Sequence, residues 1–297
     1  MTSNKERPQE AWGLSAGRRA YNAGMRALIY IAAAIVVALL IFLLGYILYR
    51  GLPNLTLEFL TSEESVVRDI QGIGPAILNT LYVIIATLIV VLPLGVGSAI
   101  YLTEYATNRR LVAAIEFATE TLAGIPSIIY ALVGVLVFAE SLRLGKTLIA
   151  GAFTLVIMVL PTVIRTTQES LKTVPQSYRE GSLGLGSGKW HMIRTVVLPS
   201  SIDGIVTGCI LAIGRIVGES AVLLYTVGMS MQMQNFFRNG LESFFSASGS
   251  TLSVALYVYA KVRADFDLAF SVAVVLIIIT LVINLAANLV GKKLKKK

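Results

Sequence analysis

Apolar residues in this chain run in blocks instead of alternating with polar ones. Residues 27–49 and 268–290 are the plainest blocks, and neither holds a charged side chain. Residues 77–103 make a third. Residues 122–139, 147–166 and 202–228 are weaker, because prolines, glycines or charges interrupt them. A run of about 20 apolar residues is long enough, as a helix, to cross the hydrocarbon core of a bilayer. The pattern predicts an all-α chain with six membrane spans.

Several blocks carry helix breakers. Pro93 with Gly95 and Gly97, the Gly-Ile-Pro-Ser stretch from Gly124 to Ser127, and Pro161 predict interrupted helices at membrane depth. A proline removes a backbone N–H and frees a carbonyl, which a bilayer tolerates only under protein or beside a water-filled cavity. Such breaks mark pathways; a kink used for packing alone is the plainer alternative. Small residues four apart, Gly204 with Gly208 and Gly214 with Gly218, predict the close approach of a neighbouring helix.

Charge follows the blocks. The 297 residues are 56% hydrophobic and only 14% charged, against about 25% in ordinary soluble domains, which excludes a water-soluble enzyme with a polar shell. Lys5, Arg7, Arg18, Arg19 and Arg26 precede the first block, and Lys292, Lys293, Lys295, Lys296 and Lys297 follow the last. By the positive-inside rule both termini are expected to face the cytoplasm, and an even number of spans agrees with that. Arg109 and Arg110, then Lys172, Arg179, Lys189 and Arg194, fall in connections predicted on that same side. The net charge of +8 therefore reports orientation in an inner membrane and not a nucleic-acid partner. Residues 1–26 read as a mobile basic arm resting on anionic lipid. Residues 27–297 read as one transmembrane domain with a cytoplasmic loop at 167–199, and residues 246–253 as a flexible outer turn. The first block is too long for a signal-peptide core and lacks a cleavage site, so it is expected to stay attached.

Little in the chain points to catalysis. Cys209 is the single cysteine and His191 the single histidine, which leaves no thiolate or histidine cluster for a metal. Cys209 reads as a small packing residue, His191 as a loop residue, and Glu116 with Glu120 as a solvated helix face. Arg165, Arg215 and Glu219 differ, because they fall where apolar runs should continue, and ionisable groups at that depth face a bundle interior. Arg215 and Glu219 are four apart and predict a pair on one helix face. In one reading the two arginines supply positive potential to a crossing oxyanion, since guanidinium groups donate bidentate hydrogen bonds, while Glu219 holds an arginine between passages. A glutamate there accepts a hydrogen bond from protonated phosphate, which ionised sulfate does not offer. In the other, Arg215 and Glu219 are a structural ion pair and Arg165 snorkels to the interface.

The stretch from Ser182 to Pro199 is rich in glycine and carries a lysine, as nucleotide loops do. It lacks the required spacing: counted back from Gly188-Lys189, Leu183 stands where glycine is needed and Trp190 where the magnesium-binding hydroxyl belongs. A helix is expected just after Pro175, with Tyr178, Gly181, Ser182 and Leu185 on one face. Gly184, Gly186 and Gly188 end it and reverse the chain, and Pro199 opens the next helix. A short exposed helix between two spans is a docking point.

Glu180, Gly181 and Ser182, followed after three residues by Gly186, after nine by Val196 and then by Leu198-Pro199, resemble the EAA loop of bacterial ABC importer permeases. Both alanines of that motif are replaced here by small residues, and its isoleucine by Val196. The stretches 72–83, 92–106, 120–134 and 214–226 are similar to phosphate-specific permeases of the PstA type, with departures at Val217, Ser220 and Val222. The resemblance runs from about residue 70 to the C-terminus. It implies that Tyr178, Glu180, Gly181, Ser182, Leu185 and Gly186 couple the chain to a separate ATPase, which binds ATP and magnesium while this chain holds no cofactor. It further implies a second permease subunit, two ATPase subunits and an extracytoplasmic phosphate-binding protein, and no enzymatic activity in this chain. The alternatives are a sulfate or molybdate permease of the same architecture, a secondary transporter driven by an ion gradient, and a membrane scaffold without substrate.

Overall fold

A backbone in hydrocarbon must satisfy its own N–H and C=O groups, and the apolar blocks do so as helices. The computed structural model describes residues 16–64, 70–230 and 248–295. Twelve helices are numbered here: α1 (Ala16–Gly51), α2 (Leu57–Thr61), α3 (Gly74–Ile100), α4 (Arg109–Ala123), α5 (Ser127–Gly134), α6 (Leu148–Lys172), α7 (Gln176–Gly184), α8 (Lys189–Met192), α9 (Leu198–Gly218), α10 (Ala221–Thr226), α11 (Leu252–Tyr257) and α12 (Phe266–Lys295). Among the described residues five helical stretches are long and apolar enough to cross a membrane, and six if the bent pair α4 and α5 counts as one.

The chain divides into two units, one before Arg50 and one from Arg50 onward. The first is the body of α1, where Phe42 and Tyr46 stack one turn apart. The described part of this helix includes Arg18 and Arg26, which therefore belong to it and not to a loose arm. Residues 1–15, the rest of the expected arm, lie outside the described residues. The second unit is built around α6, which packs against α3 on one side and α9 on the other, with α12 against α9. Leu148, Leu155, Met158, Val159 and Val163 of α6 are fully or almost fully buried.

Three expectations are corrected here. Pro93 and Pro161 do not interrupt their helices; α3 and α6 run through them. One missing hydrogen bond is tolerated where flanking helices hold the backbone. Of the three expected breaks, the Gly124–Ser127 stretch alone interrupts its helix, and it bends α4 from α5 by 98°. The fifth span begins earlier than expected, at Lys189, and ends at Gly218 instead of residue 228, so α10 is a separate element, with Val222, Leu223 and Thr226 buried. The described part of residues 246–253 is no flexible turn. Asn79 Nδ2 donates to Ser250 O at 3.0 Å, Leu252 N donates to Thr80 Oγ1 at 2.9 Å, and Ser250 and Thr251 are buried.

The two glycine pairs of α9 part company. Gly204 and Gly208 lie against Ser170 and Thr166, where any added Cβ would collide with α6. Gly214 and Gly218 have no atom of the described residues within 4 Å of an added Cβ, and they line an apolar groove of about 290 Å3 with Leu276 and Leu281 of α12.

Candidate functional site

The connection between α6 and α9 forms the predicted helix. Pro175, with φ −58° and ψ 141°, sets the entry to α7, and Gly186 at φ +85° reverses the chain after it. That left-handed conformation is open to glycine and strained for a residue with a side chain. Ser187 Oγ donates to Ser182 O at 2.7 Å, and the two hydroxyls lie 2.7 Å apart, closing the turn. Ser182 is therefore half-buried and engaged within the loop. Tyr178, Glu180, Gly181 and Gly186 are exposed, and Leu185 is 91% exposed. Leu183 and Trp190 extend this apolar surface.

Arg179, one of several basic residues in this loop and not among the expected coupling residues, anchors α7. Its Nε and Nη2 donate to Glu104 Oε1 at 3.1 and 2.9 Å. Nη1 donates to Val174 O at 2.5 Å, and Nη2 also donates to Leu171 O at 2.9 Å. The last carbonyls of a helix lack partners within it, and here a guanidinium supplies them at the end of α6. Glu104 lies in a wide turn, Tyr101–Tyr105, that continues α3 and in which Ala106 N donates to Tyr101 O, five residues back. The side chains of Arg179 and Glu104 are only 11% and 7% exposed. The available signal was the position of Arg179 directly before Glu180, inside the recognisable motif.

The three intramembrane residues do not form the arrangement predicted for them. Among the described residues Arg215 and Glu219 make no ion pair, because α9 ends at Gly218 and Glu219 turns to extended backbone at φ −80°, ψ 110°. Its carboxylate accepts from Val222 N at 3.2 Å, and its carbonyl accepts from Ser253 Oγ at 2.9 Å. Arg215 Nη1 instead donates to Thr162 Oγ1 of α6 at 3.4 Å. A helix-face argument fails once the helix stops between the two residues.

Arg165 is exposed and lies between two carboxylates, Glu120 Oε1 at 2.9 Å and Glu169 Oε1 at 3.1 Å. Lys172 Nζ lies 3.0 Å from Glu116 Oε1, which also accepts from Gln168. Glu116 and Glu120 thus reach from α4 to α6 while staying on an exposed face, as expected, with cationic partners the sequence did not show. These groups line a cavity of about 190 Å3 holding three carboxylates and two cations. In this arrangement Arg165 is neutralised and offers no surplus positive charge to an anion. The bend that brings α4 here is held by Tyr130, whose hydroxyl donates to Leu122 O at 2.7 Å across the break.

No group of three or more His, Cys, Asp or Glu able to hold a metal occurs among the described residues. His191 is exposed on α8, and Cys209 is half-buried in α9.

Comparison with known proteins shows the family of this chain. The family described as binding-protein-dependent transport system inner membrane component matches residues 91–297. The "Probable ABC transporter permease protein YqgI" of Bacillus subtilis (strain 168) is 37% identical over 206 residues, covering 69% of this chain and 70% of that protein. The "Phosphate transport system permease protein PstA" of Haemophilus influenzae is 31% identical over 247 residues, covering 82% and 83%. Among solved structures, a bacterial alginate ABC transporter in complex with its alginate pentasaccharide-bound periplasmic protein shares the fold, with a TM-score of 0.66 at 14% identity over 94% of this chain and 99% of that one.

Proposed function

Because the chain belongs to the family of binding-protein-dependent transport system inner membrane components, we propose that it is the transmembrane permease subunit of an ATP-driven phosphate importer. It supplies half of an anion path completed by a second permease subunit and does no catalysis itself. The observation that carries this reading is α7, a short helix projecting between two spans with Tyr178, Glu180, Gly181 and Leu185 exposed and its base pinned by Arg179. Such a helix has the form of a lever that receives work from a separate ATPase pair, which binds ATP and magnesium. Both termini and α7 face the cytoplasm in this reading, and an extracytoplasmic phosphate-binding protein docks on the opposite side. The name of the Haemophilus relative favours phosphate as the cargo.

Arg215 is the residue assigned to the path. It is half-buried, belongs to a spanning helix, and its bond to Thr162 is long enough to be exchanged for an oxyanion oxygen. Arg165 joins the path only in a state that frees it from Glu120 and Glu169. Glu219 caps the entry to α10 and shapes the path without facing the anion.

Uptake of labelled inorganic phosphate by vesicles containing this chain, its partner permease and the ATPase tests the proposal. ATP-dependent uptake that sulfate and molybdate do not displace is expected. Displacement by either oxyanion reassigns the cargo, and uptake driven by an ion gradient without ATP overturns the importer reading. Arg215→Gln is expected to abolish most uptake; unaltered uptake would reduce Arg215 to a structural partner of Thr162.

A further inference from the structure

We propose that Arg179 and Glu104 are the joint through which movement of α7 reaches the spanning helices, and that both are positioning residues for coupling. This rests on the reading of α7 as the helix that docks the ATPase. The outward face of α7 is free: Gly181 and Gly184 have no atom of the described residues within 4 Å of an added Cβ, and Tyr178 and Leu185 are exposed. Arg179 is what ties the helix inward. Its guanidinium meets acceptors from two spans at once, Leu171 O in the last turn of α6 with Val174 O just beyond it, and Glu104 in the turn that continues α3. A rigid planar fork held by three acceptors transmits displacement where a flexible ammonium would absorb it.

The receiving end is suited to movement. Glu104 belongs to the wide turn that ends α3, and wide turns of this kind recur at functional sites in helices. Beside the pair lies an open cleft of about 370 Å3 lined by Gln176, Leu183, Lys189 and Met192, which leaves space beside α7. The pair itself is nearly excluded from solvent, and a buried charge separated from its partner is costly. A displacement of α7 therefore carries α3 and α6 along instead of breaking the contact.

The test uses the assembled transporter in vesicles, with labelled inorganic phosphate as the probe and ATP hydrolysis measured in parallel. Glu104→Ala is expected to retain ATPase co-purification and ATP hydrolysis while phosphate uptake per ATP falls by about tenfold or more. Glu104→Gln, whose carbonyl oxygen still accepts from the fork, is expected to stay within about threefold of the parent. If Glu104→Ala fails to assemble, the double variant Glu104→Ala with Arg179→Ala decides, since removing both charges leaves none buried and unpaired. It should assemble and remain uncoupled. Parental uptake per ATP in an assembled Glu104→Ala or double variant overturns the joint, because a purely structural pair would alter the amount of transporter and not its stoichiometry. Failure of the parental chain to retain the ATPase would instead overturn the docking reading beneath it.

Discussion

Two arginines sit toward the same end of α6, each held by glutamate, and their surroundings give the same chemistry opposite roles. Arg179 and Glu104 are about nine-tenths buried, and the guanidinium is used on three acceptors. Arg165 is 54% exposed, and its two carboxylates are more exposed still. Screening by water and salt acts on an open assembly and barely reaches an enclosed one. The buried pair fixes a position, whereas the open cluster of Arg165, Glu116, Glu120, Glu169 and Lys172 can exchange partners at little cost.

The contrast is broken most directly at the buried pair. Arg179→Ala leaves Glu104 without its partner and is expected to lower the stability of the extracted protein by about 3–5 kcal/mol, read from thermal unfolding in detergent. A loss no larger than that of an ordinary surface substitution would place the pair in water. Adding Glu104→Ala to Arg179→Ala removes the stranded charge and should return about 1–3 kcal/mol; simple additivity of the two losses would deny the coupling. Tyr130→Phe deletes the hydroxyl bond across the α4 and α5 break and should cost about 1 kcal/mol, with a spin-label distance between the two helices reporting a broader bend. The smallest effect belongs to Arg165→Gln. Its change in thermal midpoint should be slight at low salt and vanish near 1 M, where the screening length falls to about 3 Å. A large, salt-insensitive loss would show that this cluster is also a buried joint.

Much of the fold was legible in the residue pattern, and what was missed has identifiable causes. The helix after Pro175, the reversal at Gly186 and the opening of α9 at Pro199 are local matters of backbone geometry, and the structure has all three. The close approach at Gly204 and Gly208 was legible from spacing, although not that α6 was the partner. Pro93 and Pro161 misled because a proline lowers the local preference for helix without overriding the packing around it. The Arg215 and Glu219 pair misled because residues four apart share a face only while the helix lasts, and α9 stops at Gly218. Glu104 and Arg179 are 75 positions apart, and no periodicity links them.

By itself the amino-acid sequence determined that this chain crosses a membrane as a bundle of helices and projects a short helix between two of its spans. Those outcomes follow from hydrophobic run length and from residues with restricted backbone angles, which act over a few positions and need no knowledge of the rest. Only the tertiary structure decided which charges meet. Ion pairing depends on distances between helices distant in the chain, and on how much water remains around the pair once those helices have packed.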